Sequence, residues 1–246
     1  MGGRIRTIAL TVGCMLLVAC STVQHPSGDP WEGANRKIFW FNDEVDVHVL
    51  EPVAKGWRWA LPEMVRTGFT NFFQNLGTPV VAVNQLLQGK PLQGASDTGR
   101  FLVNTIVGLG FIDPASQWGL KRHDEDFGQT LAVWGVPGGP YLVIPLLGPS
   151  NARDLTGLVV DTAMSITPFF VDGWILTTAR VVQTVNARSG VIDRVREVKA
   201  ASLDYYSAVR NGYQQRRAAA IRDDLDVTPA TEENELYYPG EELKPQ

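Results

Sequence analysis

Apolar residues recur at steps of three and four along most of this chain, and that rhythm predicts helices. Trp31, Ala34, Ile38, Phe41, Val45 and Val49 make one such stripe. Asp29-Pro30-Trp31-Glu32 opens it as a helix start, with Asp at the cap, Pro in the first turn and Glu three residues after the cap. Ile38-Phe39-Trp40-Phe41 is apolar through a whole turn. A helix apolar all round at one level is covered on more than one side. It is either a central core helix or one with protein on one side and lipid on the other. Further helical segments cover 53–60, 63–76, 80–87, 92–107, 151–166 and 169–186, each introduced by proline-containing punctuation. The longest pattern steps through Ile192, Val195, Val198, Ser202, Tyr205, Val209 and Tyr213. Strand signals are sparse. Residues 141–147 are the best β candidate, and Pro145 confines them to an edge or a loop. No repeat or linker divides residues 29–222, so the pattern predicts one all-α domain.

Residues 127–152 break the rhythm. No charged side chain occurs there, yet glycines and prolines interrupt the stretch repeatedly. It cannot be a continuous spanning helix. It is either buried, with its backbone polar groups paired, or it faces lipid. Residues 138–149 within it supply Pro140, Tyr141, Leu142 and Ile144 as lipid-contact candidates. The seven tryptophans are either core aromatics or rings at the headgroup level of a membrane.

The N-terminus has its own pattern. Arg4 and Arg6 precede a short apolar run from Ile8 to Ala19, which closes as Leu17-Val18-Ala19-Cys20. The run is too short to span a bilayer and reads as a secretory signal over residues 1–19. The closing tetrad resembles a bacterial lipobox, so Cys20 is the expected lipid attachment point. Residues 20–28 read as a tether. Cys14 leaves with the signal, which excludes a disulfide and a free thiol nucleophile.

Charge separates the body from the tail. The chain carries 22 Lys and Arg against 26 Asp and Glu, a net of −4. Eight of the acids lie in residues 223–246, which read as an acidic, disordered tail. The body is nearly neutral, which leaves no footprint for nucleic acid. His123-Asp124-Glu125-Asp126 could suggest a metal site, but adjacent residues converge poorly on one ion, and a solvated acidic loop is the plainer reading. No nucleophile elbow, phosphate loop or kinase set accompanies Asp126-Phe127-Gly128. These residues predict neither an enzyme nor a cofactor.

Several collinear blocks resemble the MlaA/VacJ family of outer-membrane lipoproteins: residues 29–36, 99–105, 108–115, 125–131, 138–145 and 148–154. The resemblance implies an all-α, ring-like domain seated in one membrane leaflet, with a central amphipathic channel. It implies removal of mislocalised phospholipid from the outer leaflet of a Gram-negative outer membrane, and transfer to a soluble periplasmic carrier, MlaC. It also implies association with a trimeric porin, and no hydrolysis. Phe39, Trp40, Phe41 and Asn42 correspond to a region that holds the channel at rest. Ser21, in place of the aspartate that retains lipoproteins in the inner membrane, fits outer-membrane sorting. The alternative is a lipoprotein that only braces a porin.

Overall fold

The computed structural model describes residues 29–165, 167 and 171–224. The signal, Cys20 and the tether lie outside the described residues, as do positions 166 and 168–170 and the tail from 225 onward. Helices α1 (Glu32–Val45), α2 (Glu51–Ala60), α3 (Glu63–Leu87), α4 (Pro91–Ile106), α5 (Pro114–Gln117) and α6 (Phe127–Val133) precede a hairpin of β1 (Tyr141–Ile144) and β2 (Gly148–Asn151). Helices α7 (Ala152–Met164), α8 (Gly173–Gly190), α9 (Ile192–Ala201) and α10 (Tyr205–Ile221) follow. The expected all-α character holds, and the β candidate forms the antiparallel hairpin, with Tyr141 opposite Asn151 and Ile144 opposite Gly148.

Proline punctuation misleads at two places. Pro52 does not separate two helices. A π-helical turn at Asp46–Leu50 joins α1 to α2, and the Glu51 N–H reaches back to Asp46 O. A wider turn accommodates a ring that cannot donate and would crowd the carbonyl four residues back. Pro79 lies inside α3, which runs unbroken past it. Packing along α4 holds that helix together, and the Thr78 hydroxyl bonds Gln74 O one turn back (3.1 Å). The expected long last helix is instead two, α9 and α10, broken at residues 202–204. Asp204 flanks the break, held by both terminal guanidinium nitrogens of Arg36 (3.1 and 2.5 Å) and by Ser207 Oγ (2.7 Å).

The larger departure is which faces turn inward. Among the described residues, eight apolar side chains are buried, three of them alanines, against fifteen polar or charged ones. Helix α4 makes this plain. Gly94, Asp97, Arg100 and Asn104 form its buried stripe, while Leu92 (85 % exposed) and Ile106 (72 %) point outward. Helix α8 buries Asn186, Arg188 and Ser189 beside Val185, and exposes Trp174, Ile175 and Val181. Of the expected core stripe through α1 and its flanks, Ile38 packs on the buried cluster of Tyr141, Val143 and Tyr206, but Trp31, Phe41 and Val49 are exposed, and the buried position of α1 is Asn35. Six of the seven tryptophans are exposed; Trp57 alone is half-buried, its indole N–H bonded to Asn186 Oδ1 (3.0 Å). A water-facing domain packs the other way. The buried polar groups, rather than the exposed apolar ones, are the unusual feature.

Close approaches fix the frame. A Cβ on Gly157 of α7 would sit 2.3 Å from Gly128 N in α6, so these helices cross backbone to backbone. Arg217 of α10 clamps the crossing. It bonds Asp126, which caps α6 through Gln129 N (2.8 Å), and Asp154 in the first turn of α7 (2.9 Å).

Candidate functional site

The two candidate segments from the sequence meet in space. Asn35 and Asn42 lie two turns apart on α1, on the side that faces β1. Asn35 Nδ2 donates to Tyr141 O (2.9 Å), and Asn35 Oδ1 accepts the Val143 N–H (3.0 Å). Asn42 does the same further along, donating to Ile144 O (3.0 Å) and accepting the Leu146 N–H (2.8 Å). Each side-chain amide thus stands in for a neighbouring strand on the free edge of β1, which would otherwise be left unpaired. The spacing suits both elements. Seven helical residues rise about 10.5 Å, and the three-residue step between the paired sites on the strand side covers about 10 Å. This is how an uncharged, glycine-rich stretch satisfies its backbone.

The candidates then divide. Tyr141 is buried with Val143 and Tyr206, and Phe39 packs on that cluster, edge-on to Tyr205 (5.2 Å) and Tyr206 (5.4 Å). These two are packing residues. Burial pushes the Tyr141 hydroxyl up to about 12. Pro140, Leu142 and Ile144 are half-buried. Trp40 and Phe41 are exposed, as are Leu146 and Leu147 at the hairpin tip. Leu146 holds a positive φ of 63°, a conformation that suits glycine better than leucine.

A polar cavity of about 210 Å³ lies elsewhere, between α3, α4 and α8 and the segment before α6. Asn71, Gln74, Asn75, Gln183, Arg122 and Asp124 line it, with Asp97, Arg100 and Asp113 behind. An apolar groove of about 730 Å³ adjoins it, lined by Met64, Val65, Gly68, Phe69, Phe111 and Ile112. Asn71 belongs to both, and its Nδ2 donates to Phe111 O (3.0 Å). Stacked Phe72 and Phe111 (4.8 Å) stiffen this boundary.

The carboxylates behind the cavity are tied down. Asp97 bonds Gln85 Nε2 (2.6 Å) and His123 Nδ1 (2.7 Å). Asp113 takes Arg100 (2.8 Å), Asn104 (2.9 Å) and Ser116. Burial raises the Asp113 pKa, but the Ser116 and Asn104 hydrogen bonds and the Arg100 charge outweigh it and hold the group below its ordinary value. Within His123-Asp124-Glu125-Asp126 only Asp124 is exposed as a solvated acidic loop requires. Glu125 is buried against Lys90 (2.9 Å) and Gln88 (2.8 Å), and Asp126 is held by Arg217. Among the described residues no cluster of His, Cys, Asp and Glu could hold a metal ion.

The cavity, its polar stripe and the groove were not singled out by sequence reasoning. The available signal was the polar repeat Asp97, Arg100, Asn104 at helical spacing inside an apolar helix. In a chain expected to carry a lipid anchor, such a stripe marks the inward face.

Comparison with known proteins gives a consistent set of matches. The family model described as MlaA lipoprotein matches residues 27–220. The intermembrane phospholipid transport system lipoproteins MlaA of Shigella flexneri and Escherichia coli K12 are each 35 % identical over 247 residues, covering 90 % of this chain and 97 % of theirs. The protein of that name from Haemophilus influenzae is 37 % identical, covering 79 % of this chain and 80 % of its own. A solved chain from work described as "Structural basis for maintenance of bacterial outer membrane lipid asymmetry" superposes with a TM-score of 0.70 at 36 % identity, covering 78 % of this chain and 98 % of that one.

Proposed function

The chain belongs to the MlaA lipoprotein family, and from that premise we propose that it admits phospholipid from the outer leaflet of an outer membrane and passes it toward the periplasm. Cys20 carries the anchor, and the body sits in the periplasmic leaflet. The observation that carries the reading is the polar cavity meeting an apolar groove at Asn71, inside a body with polar groups buried and apolar groups outside. A phospholipid needs both environments at once: charge-matching groups for its head and hydrocarbon for its tails. None of the described helices is long and apolar enough to cross a membrane, which suits immersion in one leaflet. Exposed Trp40, Phe41, Leu146 and Leu147 form a lipid-contact edge, with Asn42 fixing the hairpin against α1.

The relatives carry the name of a phospholipid transport system rather than of an enzyme, which favours movement of lipid over its hydrolysis. A soluble periplasmic carrier such as MlaC and a trimeric porin are the proposed partners. The apolar exterior also fits a lipoprotein that braces a porin without moving lipid. Deleting the gene separates the two. Transport predicts excess outer-leaflet phospholipid, read as lipid A palmitoylation, restored to normal by the intact gene. Unchanged asymmetry alongside a stable porin complex would favour bracing.

A further inference from the structure

Most charges around the polar cavity are already matched. Asp97 and Asp113 are committed to Gln85, His123, Arg100, Asn104 and Ser116. Arg122 and Asp124 differ. Both line the cavity, and neither side chain makes a hydrogen bond or ion pair with another of the described residues. Their charges act on one another without closing an ion pair. Burial strips water from the Arg122 guanidinium and holds its pKa below the ordinary arginine value. Asn75 adds a third group, since its Oδ1 is buried and accepts no hydrogen bond. The cavity thus offers one uncommitted cation, one uncommitted anion and one free acceptor, beside a groove for hydrocarbon.

We propose that this cavity is a headgroup subsite for a zwitterionic aminophospholipid, in which Arg122 takes the phosphodiester and Asp124 the ammonium. The inference rests on the lipid-admitting reading above and adds a preference to it. A planar guanidinium suits phosphate oxygens. The ammonium lies two carbons from the phosphate and needs an acceptor of opposite charge. Asp124 supplies one, and Asn75 Oδ1 supplies a neutral one. The glycerol backbone then falls at Asn71, with the acyl chains in the groove along Phe69 and Phe111. A headgroup with phosphate but no amine would leave Asp124 facing it with like charge, and the site discriminates by that repulsion.

The test uses the full chain purified in mild detergent and acyl-labelled lipids: phosphatidylethanolamine, phosphatidylglycerol and diacylglycerol. The intact protein should bind them in that order of decreasing affinity. Arg122→Gln should weaken both phospholipids about tenfold, the scale of one lost charge-assisted hydrogen bond, and leave diacylglycerol unchanged. Arg122→Lys should recover part of the loss. Asp124→Asn should erase the preference for phosphatidylethanolamine over phosphatidylglycerol. Neither side chain carries a contact the fold needs, and unchanged diacylglycerol binding reports an intact groove. The proposal is overturned if Arg122→Gln binds all three lipids like the intact protein, or if inorganic phosphate displaces phosphatidylethanolamine at comparable concentration. Equal binding of all three by the intact chain sinks the headgroup site alone. Binding of none sinks the lipid-admitting reading with it.

Discussion

Replacing Asn35 with alanine should cost more than any other single asparagine change along α1. Asn35 is 2 % exposed. Its amide donates to Asp29 Oδ1 (3.0 Å) and Tyr141 O (2.9 Å) and accepts from Val143 N (3.0 Å). Alanine leaves a backbone carbonyl and a backbone N–H without partners in a closed site. Each such orphan costs about 1–3 kcal/mol, so the pair costs about 2–6 kcal/mol. For a domain of this size 1 kcal/mol moves the midpoint by about 2–4 °C, and a loss near 3 kcal/mol lowers it by about 6–12 °C. Asn42→Ala removes the same pattern from a half-buried site where water reaches Leu146 N, and should cost about 1 kcal/mol. Asn35→Asp keeps the Val143 acceptor but loses both donors and sets two carboxylates together at Asp29, so it should do no better than alanine. Thermal unfolding of the detergent-solubilised protein by circular dichroism orders the three variants. Amide exchange at Val143 reports the hairpin directly. If Asn35→Ala melts with the parent, or Asn42→Ala melts lower than Asn35→Ala, the strand-mimic account is wrong.

Other changes test other links. Gly157→Ala drives a methyl into Gly128 N and should lower stability by about 1–3 kcal/mol or more; a denaturant midpoint equal to the parent's would show that α6 and α7 can part. Leu146→Gly relieves a left-handed leucine at φ 63° and should raise stability by about 1 kcal/mol while weakening partition into vesicles. A stability gain with unchanged partition would remove the hairpin tip from the lipid-contact edge. Glu51 is held down to about 2 by hydrogen bonds from Lys55 and Arg196 and by their charges. Its folded value lies below its ordinary 4.5. Its contribution is therefore present above 4.5 and is lost as pH falls toward 2. Melting curves of Glu51→Gln should converge on the parent's across that window, and a constant gap would exclude this group.

Helical rhythm was legible because period depends on backbone geometry, which is the same in water and in lipid. Facing was not. The stripe through Trp31, Phe41 and Val49 has the spacing of a core, yet all three are exposed. Here Asn35 and Asn42 face protein because the hairpin offers them backbone groups that nothing else satisfies. Proline misled at Pro52 and Pro79 for a related reason. Each removes one local hydrogen bond, and a π turn at one site and packing against α4 at the other offset the loss. The region carrying Phe39 and Asn42 and the uncharged hairpin were both visible in the sequence, though not that they are partners. Asp124 was hidden inside an acidic run, with Arg122 just before it, whose members Glu125 and Asp126 are tied to Lys90 and Arg217, contacts 35 and 91 residues away in sequence.

On the proposed function, phospholipid passes along the Asn71 boundary, with its head in the polar cavity and its tails in the groove. Photo-crosslinking amino acids placed in cells at Gln74 in the cavity and Thr67 in the groove test it most directly, with exposed Trp174 on α8 as a control for surrounding lipid. Mass spectrometry should find phospholipid adducts at all three positions, and those at Gln74 and Thr67 should fall when an excess of carrier drains the path. Adducts at Trp174 with none at Gln74 or Thr67 would mean a body immersed in lipid through which no lipid passes.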